Sequence, residues 1–298
     1  MTLPIRSTNP RPTISSSRKR GIAPFPYFGG KFIHLKWLLP LLPECHAFVD
    51  VFGGSGAVIL NRNPSPVDVY NDLDGRIVHF FKILREHTDE LISALQLTPY
   101  SRSDFELSLK DDEGIDDVER ARRTFVKFQS SRGGRQGDDT HDSGWSWSKT
   151  LSRGGISGCV NAFRGRIRYH LRDVAKRLLS IQIENRPFQY ILERYDSPDT
   201  LFYLDPPYMP GSGLGSWEMV VGPDVYRFPM SESDHAGMLS MIVDIQGRAA
   251  ISSYRNDLYE YVLSDWTSYD QRVHTSGLVD GIGVHSAKIE TLWTNYEL

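Results

Sequence analysis

Two short apolar runs, each ending in a polar turn that leads into a helix, constrain the fold of this chain more than any other feature. Residues 46–52 form the first run, the glycine-rich turn 53–56 follows it, and a helix is predicted from Ala57. Residues 66–70 form the second run, which ends at the pair Asn71-Asp72 ahead of another predicted helix. Buried strands that alternate with helices are typical of an open, mainly parallel sheet. The sequence therefore predicts an α/β fold.

The same alternation returns in the last third of the chain. Residues 201–204 form an apolar run, a helix is predicted over 233–243, and residues 249–253 form a further strand. Residues 288–296 alternate well enough to form a last strand, which we expect to run antiparallel to the others. We expect both parts of the chain to contribute strands to one Rossmann-like sheet.

Between residues 97 and 193 the alternation is lost, and an inserted, largely helical subdomain with long loops is predicted there. Residues 118–177 contain fourteen Lys or Arg against five Asp or Glu, in a chain whose net charge is −3. Such a basic segment favours a nucleic-acid partner, although a solvated, arginine-rich helix face is the simpler alternative. Contacts to DNA, mostly to phosphates, are expected from Arg132, Arg135, Arg164, Arg166 and Arg168.

Composition argues against several other classes of protein. No apolar run is long enough to span a membrane, and residues 1–22, rich in Pro, Ser and Arg, are predicted to be a disordered basic lead-in rather than a secretion signal. Cys45 and Cys159 are too few to suggest a disulfide framework or a zinc site. We therefore expect no metal, and a location in the cytoplasm of a prokaryote or of a phage-infected host.

A tetrapeptide directly after the run 201–204 carries the most specific chemistry in the sequence: Asp205-Pro206-Pro207-Tyr208. Asp205 and the Pro206 carbonyl can accept hydrogen bonds from an exocyclic amine, while the prolines fix the turn without adding backbone donors. The Tyr208 ring offers a flat face on which a nucleobase can stack. The motif therefore predicts a site that holds an amine for methylation.

The glycine turn and Asp72 together predict a cofactor pocket. The turn Gly54-x-Gly56 lets a ligand approach backbone amides, although alone it is more often only a tight strand-to-helix turn. Asp72 can accept hydrogen bonds from two ribose hydroxyls. Because no phosphate-loop motif follows, a nucleoside with few phosphates is favoured, and S-adenosylmethionine fits that description. Its carboxylate suits Lys31, for which an exposed surface lysine is the plain alternative.

In their order along the chain, these motifs resemble those of Dam-like DNA adenine N6-methyltransferases, in particular the phage and prophage branch. The resemblance extends from about Pro24 to the C-terminus. It rests on Tyr27-Phe28-Gly29-Gly30-Lys31, on Phe48-Val49-Asp50-Val51-Phe52-Gly53-Gly54-Ser55-Gly56-Ala57, on Asn71-Asp72 and on Asp205-Pro206-Pro207-Tyr208. Two positions depart from the family pattern: Val51 stands where proline is common, and Gly53 makes the turn unusually rich in glycine.

The resemblance implies an enzyme that transfers a methyl group from S-adenosylmethionine directly to N6 of an adenine flipped out of double-stranded DNA. The catalytic residues implied are Asp205, Pro206, Pro207 and Tyr208. The donor-binding residues implied are Tyr27, Lys31, Asp50, Phe52, Gly54, Gly56, Asp72 and Asp205. A cognate restriction endonuclease is a candidate partner. The chain divides into residues 23–96 and 194–298 as the methyltransferase catalytic domain and residues 97–193 as the inserted target-recognition domain.

Three alternative functions stay open. A methyltransferase acting on protein or ribosomal amines would more often carry Asn before the prolines, and a cytosine N4 enzyme would more often begin the motif with Ser. A DNA-binding protein that has lost transfer would not need Lys31, Asp72 and Asp205 intact. The loop after the motif, with Trp217, Tyr226 and Phe228, is expected either to close over the base or to pack as an ordinary loop.

Overall fold

The structure, a computed structural model, describes residues 21–110, 112–134, 144–152, 154–209, 226–279 and 282–298. Backbone alone is described at residue 133 and over 273–279 and 282–288. Residues 1–20 of the predicted lead-in, Arg135 and Trp217 lie outside the described residues.

A seven-stranded sheet in the order β3-β2-β1-β4-β5-β7-β6 organises the chain. Its strands are β1 (Ala47–Asp50), β2 (Val67–Asn71), β3 (Ile181–Glu184), β4 (Thr200–Leu204), β5 (Arg248–Tyr254), β6 (Thr267–Val279) and β7 (Ile282–Thr294). Strands β1 to β5 are parallel, whereas β7 is antiparallel to both β5 and β6. The predicted α/β class and the antiparallel last strand are confirmed. The sequence did not predict β6.

Helices cover both faces of the sheet. They are α1 (Leu35–Leu38), α2 (Ala57–Asn61), α3 (Gly75–Glu86), α4 (Thr88–Leu97), α5 (Arg102–Leu107), α6 (Asp117–Ser130), α7 (Gly158–Tyr169), α8 (Leu171–Leu178), α9 (Phe188–Tyr195), α10 (Glu232–Val243) and α11 (Asp257–Val262). Short 3-10 turns lie at Lys31–Ile33, Leu39–Leu41 and Arg132–Gly134. Among the described parts of the chain, no helix is long and apolar enough to cross a bilayer.

Alternation along the strands divides the core into two layers. Phe48 of β1 and Tyr203 of β4 pack on the side of α3, α6, α7 and α8, whereas Val49 of β1 and Phe202 of β4 pack on the side of α9, α10 and α11. Successive strand residues point to opposite faces, so strands buried on both sides need an apolar residue at nearly every position. Each fully buried side chain of this size contributes about 1.5–3 kcal/mol.

The helices α4, α6, α7 and α8 share one continuous core with the sheet. Phe125 of α6 stacks on Phe80 of α3, with 6.3 Å between ring centroids, and lies edge-on to Phe163 of α7 at 5.4 Å. Within the predicted insert 97–193, β3 (Ile181–Glu184) pairs with β2 as a parallel strand of the sheet. The sequence missed β3 because a four-residue strand with two polar positions resembles a loop. The boundaries of a target-recognition domain stay a prediction.

Parallel pairing brings the motif residues to one edge of the sheet. Asp50 is in register with Tyr70 of β2 on one side and with Tyr203 of β4 on the other. Because the three strands run in the same direction, the residues that follow their carboxyl ends meet above the sheet. Asp50, Asp72 and Asp205 come from distant parts of the sequence but line one cavity.

Candidate active site

The cavity at the carboxyl ends of β1, β2 and β4 has a volume of about 280 Å³. Most of the residues predicted to bind a donor or a target base line it: Tyr27, Lys31, Asp50, Phe52, Gly54, Asp72, Asp205, Pro206, Pro207 and Tyr208. Gly56 does not line the cavity but forms the N-cap of α2, with φ of 69°. Tyr226 and Phe228 of the loop after the motif also line it.

The glycine turn is built around Asp72. The Gly54 amide donates to Asp72 Oδ2 at 2.7 Å, and the Asp74 amide donates to Asp72 Oδ1 at 2.7 Å. Gly54 has φ of 50°, and a Cβ there would lie 2.5 Å from the Tyr27 ring. Only glycine combines this backbone conformation with so close an aromatic neighbour. Burial raises the pKa of Asp72 to about 7.

Gly53, which departs from the family pattern, has a local explanation. A Cβ at Gly53 would lie 2.2 Å from the ring of Tyr70, whose hydroxyl donates to the Gly54 carbonyl at 2.6 Å. The Tyr70 ring therefore occupies the space that a side chain at residue 53 would need. In this chain the extra glycine and the buried tyrosine form one packing unit that holds the turn.

Asp50 supplies an acceptor that the described residues leave unused. Asp50 is 1% exposed, and its Oδ1 atom has no hydrogen-bond partner among the described residues. Burial, followed by the nearby Asp205 carboxylate, raises the pKa of Asp50 to about 8. A buried polar atom without a partner costs free energy, and a ligand that donates to it would recover that cost.

Lys31 and Asp205 form the closest ion pair of the cavity. Lys31 Nζ lies 2.6 Å from Asp205 Oδ1, and the lysine side chain is 2% exposed. Burial raises the pKa of Asp205 to about 6, and the Lys31 ammonium counteracts this rise. Burial alone would lower the pKa of Lys31, but Asp205 and then Glu290 outweigh it, so the pKa of Lys31 is raised. The lysine is therefore charged at neutral pH, and the alternative of an exposed surface lysine is wrong.

Tyr208 is held at both its hydroxyl and its ring. Its hydroxyl accepts from Lys31 Nζ at 2.7 Å and donates to Glu290 Oε1 at 2.8 Å. Tyr254 of β5 packs against the ring, with centroids 4.6 Å apart and planes inclined by 45°. The direction of the Tyr208 ring is thus fixed by contacts within the protein.

Sequence reasoning missed Glu290 and Ser252. Glu290 on β7 is 2% exposed, accepts from Ser252 Oγ at 2.9 Å and lies 3.3 Å from Lys31 Nζ. Burial alone would raise the pKa of Glu290, but Lys31 and hydrogen bonds from Tyr208 and Ser252 outweigh it and lower that pKa. The sequence signal that could have indicated Glu290 is a single carboxylate in the predicted last strand. The residues that follow it there, Thr291, Leu292 and Trp293, are all buried.

The predicted DNA-binding arginines that the structure describes differ in their surroundings. Arg132, Arg164 and Arg168 are exposed, and Arg164 donates to the Gln96 carbonyl at 3.1 Å. Arg166 is partly buried, donates to the Ala23 carbonyl at 3.0 Å and lies over the Phe32 ring at 5.2 Å. Burial lowers its pKa. Arg166 therefore has a clear structural contact within the protein.

Part of the basic segment is neutralised by acids outside it. Asp104 pairs with Arg122 at 3.0 Å, Asp89 with Arg172 at 2.7 Å, and the buried Asp68 with Arg177 at 2.5 Å. Such pairs bring sequence-distant acids to the arginines and reduce the charge available to a ligand.

The 3-10 turn that contains Arg132 lies next to the cavity. The Phe28 amide, whose residue lines the cavity, donates to the Gly134 carbonyl of that turn at 3.1 Å.

The strand order and the position of the cavity are those of a Rossmann-like methyltransferase, the class predicted from the sequence. The family described as D12 class N6 adenine-specific DNA methyltransferase matches residues 27–133 and 152–220, more than half of the chain. The chain belongs to this family, and the resemblance to DNA adenine N6-methyltransferases is confirmed.

Two individual proteins were also compared with the chain. Modification methylase StsI from Streptococcus sanguinis is 36% identical over 70 residues, which is 23% of this chain and 11% of that protein. The chain thus spans about a ninth of the curated relative that it matches. Precorrin 8w decarboxylase from Methanobacterium thermoautotrophicum aligns over 88% of this chain and 87% of its own, with 9% identity and a TM-score of 0.35.

Proposed function

We propose that this chain transfers a methyl group from S-adenosylmethionine to the N6 amine of an adenine flipped out of duplex DNA. Membership of the adenine-specific family supports the reaction class. The observation that carries the proposal is the placement of Asp205 and Tyr208, fixed by Lys31, in the same cavity as the glycine turn and Asp72. A donor and an acceptor site that share one cavity allow direct transfer between two bound molecules.

The residues of the cavity fit S-adenosylmethionine. Asp72 has both oxygens oriented by backbone amides, and a carboxylate retains further acceptor sites for ribose hydroxyls. The unpartnered Asp50 Oδ1 suits the amino group of the donor, and Phe52 and Phe188, with ring centroids 5.8 Å apart, suit its flat base. When bound, the donor supplies an electrophilic methyl group on a sulfonium. Donor contact by Lys31 stays a prediction, because its described contacts are Gly29, Asp205, Tyr208 and Glu290.

Asp205 acts on the target amine. Lys31 engages Asp205 Oδ1, which orients the carboxylate and leaves acceptor sites for an N–H of adenine. As the amine nitrogen forms its bond to the methyl carbon, the methyl–sulfur bond of the donor would break and leave a neutral thioether. The nitrogen becomes cationic, and an ionised carboxylate and the Pro206 carbonyl stabilise that charge until the nitrogen loses a proton. The amine need not lose its proton before attack, so Asp205 is required as an anion rather than as a strong base.

Adenine N6 lies inside duplex DNA, so the base must be extruded at a cost of a few kcal/mol. In this proposal the base stacks on Tyr208, and Tyr226 and Phe228 cover it. Exposed arginines near the cavity, led by Arg132, contact the phosphates. Double-stranded DNA is the proposed substrate, and a cognate restriction endonuclease is a proposed partner, as suggested by the weak similarity to a modification methylase.

The test is an assay with methyl-labelled S-adenosylmethionine and mixed-sequence duplex DNA, followed by mass spectrometry of the nucleosides. We expect label in N6-methyladenine, and sequencing of the product would identify the flanking bases. Label in N4-methylcytosine or in added ribosomal protein would instead support the alternatives named from the sequence. Absence of both donor binding and transfer would leave the DNA-binding protein as the better description.

A further inference from the structure

Glu290 lies outside every motif used above, yet its carboxylate lies at the centre of the polar contacts that hold the motif residues. We propose that Glu290 is a positioning residue that fixes Lys31 and Tyr208 for methyl transfer. This inference rests on the proposed function. It assigns a role to β7, the antiparallel strand that joins the sheet beyond β5.

Three groups from three different elements converge on Glu290. Tyr208 donates to Glu290 Oε1 at 2.8 Å, Ser252 of β5 donates to the same oxygen at 2.9 Å, and Lys31 Nζ lies 3.3 Å away. The position is set by strand pairing, because Glu290 is opposite Tyr254 in the antiparallel register of β5 and β7. One carboxylate therefore links the sheet, the 3-10 turn at Lys31 and the Asp-Pro-Pro-Tyr motif.

A carboxylate with 3% side-chain exposure is expensive to bury. Well-packed apolar residues of similar volume often replace buried ion pairs at no cost in stability, so packing alone does not explain an acid at this position. Its partners do explain it, because two of them, Lys31 and Tyr208, line the cavity. A shift of about 1 Å in such groups can slow a reaction on the order of 10²-fold.

The charge of Glu290 also acts on Asp205. Among the described residues, the charged and titratable groups that interact with Asp205 are Lys31, Asp50, Tyr203, Tyr208, Tyr226, Tyr254, Tyr259 and Glu290. Glu290 repels the ionised form of Asp205 and raises its pKa, whereas Lys31 lowers it. Removal of the Glu290 charge should therefore lower the pKa of Asp205, a change that a merely structural role would not produce.

The experiment compares Glu290→Gln with Glu297→Gln, which removes an exposed carboxylate near the same end of the chain. In full-length protein without donor, carbon-13 NMR of aspartate-labelled samples should show the Asp205 titration moved to lower pH in Glu290→Gln. The maximal transfer rate should fall on the order of 10²-fold, and its acid limb should move to lower pH, with donor affinity retained. Glu297→Gln should match the wild type. An unchanged Asp205 titration together with an unchanged rate would overturn the inference.

A second variant keeps the test decisive if Glu290→Gln does not fold. Tyr208→Phe retains the ring that faces the base but removes the hydroxyl that links Glu290 to Lys31. We expect a clear loss of maximal rate with donor affinity unchanged; a wild-type rate would contradict the positioning role. Failure of the proposed function is distinct, since a wild-type protein that leaves no label on adenine can still show the predicted Asp205 titration.

Discussion

Lys31 Nζ and Asp205 Oδ1 lie 2.6 Å apart although 174 residues separate them in the sequence. Both side chains are largely buried, with exposures of 2% and 14%. The pair joins the 3-10 turn that precedes β1 to the motif that follows β4. It couples the N-terminal part of the cavity lining to the residue that is proposed to hold the target amine.

Replacement of Asp205 by Asn tests whether its charge drives transfer. The amide keeps the shape of the side chain but cannot stabilise a cationic amine as an anion does, so we expect a rate loss on the order of 10²–10³. Thermal stability should stay near wild type, because Glu290 remains as an anionic partner for Lys31. Asp199→Asn, an exposed aspartate just before β4, is the matched control. Equal activity of the two variants would exclude an essential charge at Asp205.

Replacement of Lys31 by Met should reduce both stability and activity. It leaves Asp205 and Glu290 as buried carboxylates without their common cation, at an expected cost of about 3–5 kcal/mol in urea unfolding at neutral pH. Because Lys31 lowers the pKa of Asp205 from the value that burial would give, its loss should move the acid limb of the rate profile above pH 6. Lys36→Met, at an exposed position on α1, should change neither.

The raised pKa of Asp50 predicts an unusual dependence of the free energy of unfolding on pH. Its pKa is raised to about 8 in the folded protein, against an ordinary value of 3.8. The unfolded chain therefore releases this proton first, and the contribution of Asp50 to stability falls as the pH rises from about 4 to about 8. Asp50→Asn should be more stable than wild type at pH 8, by up to about 5 kcal/mol, and show no such gain near pH 3.

The measurement is chemical unfolding of the donor-free protein at both pH values. Asp244→Asn, which removes an exposed carboxylate at the end of α10, should show no such difference between the two pH values. A constant difference between Asp50→Asn and wild type across the range would show that Asp50 is ionised in the fold.

Alanine variants at Gly54 and Gly114 distinguish the effect of backbone strain from the effect of a side chain that obstructs the cavity. Both have positive φ, 50° and 77°, but a Cβ at Gly54 would lie 2.5 Å from Tyr27, whereas a Cβ at Gly114 meets nothing within 4 Å. Alanine at either position should cost about 1–2 kcal/mol from strain. Only Gly54→Ala should also weaken S-adenosylmethionine binding in titration calorimetry. Equal donor affinity in the two variants would contradict a role of the turn in donor binding.

Exposed arginines predict strongly salt-dependent binding to duplex DNA. If Arg132 and Arg168 each neutralise one phosphate, alanine at both should reduce the slope of log affinity against log salt by about 1.8. Fluorescence anisotropy with labelled duplexes measures that slope. Arg194→Ala, an exposed arginine on α9 outside the basic segment, should leave it unchanged. If log affinity of the wild type hardly changed with log salt, Arg132 and Arg168 would not belong to the proposed DNA interface.

Local patterns in the sequence were sufficient for most of the alternating strands and helices and for the position of the glycine turn, Asp72 and Asp205 after the ends of strands. These features depend on residues close in the chain: apolar runs form buried strands, and parallel strands place their carboxyl ends at one edge. Strands β3 and β6 were missed, since a short or partly polar strand is stabilised by its neighbours rather than by its own composition. The charge excess of residues 118–177 likewise concealed partners such as Asp68 and Asp89.

The sequence by itself determined that this chain forms an α/β sheet, and it placed a glycine turn and an Asp-Pro-Pro-Tyr motif after two of its strands. Only the tertiary structure decided which charged groups meet, as Lys31 does with Asp205 and Glu290. It also decided that Asp50 Oδ1 is left without a hydrogen-bond partner among the described residues. The physical reason is that burial and electrostatic coupling depend on distances between strands. The antiparallel register of β5 and β7, which places Glu290 against the cavity residues Lys31 and Tyr208, is set by those distances and by no local motif.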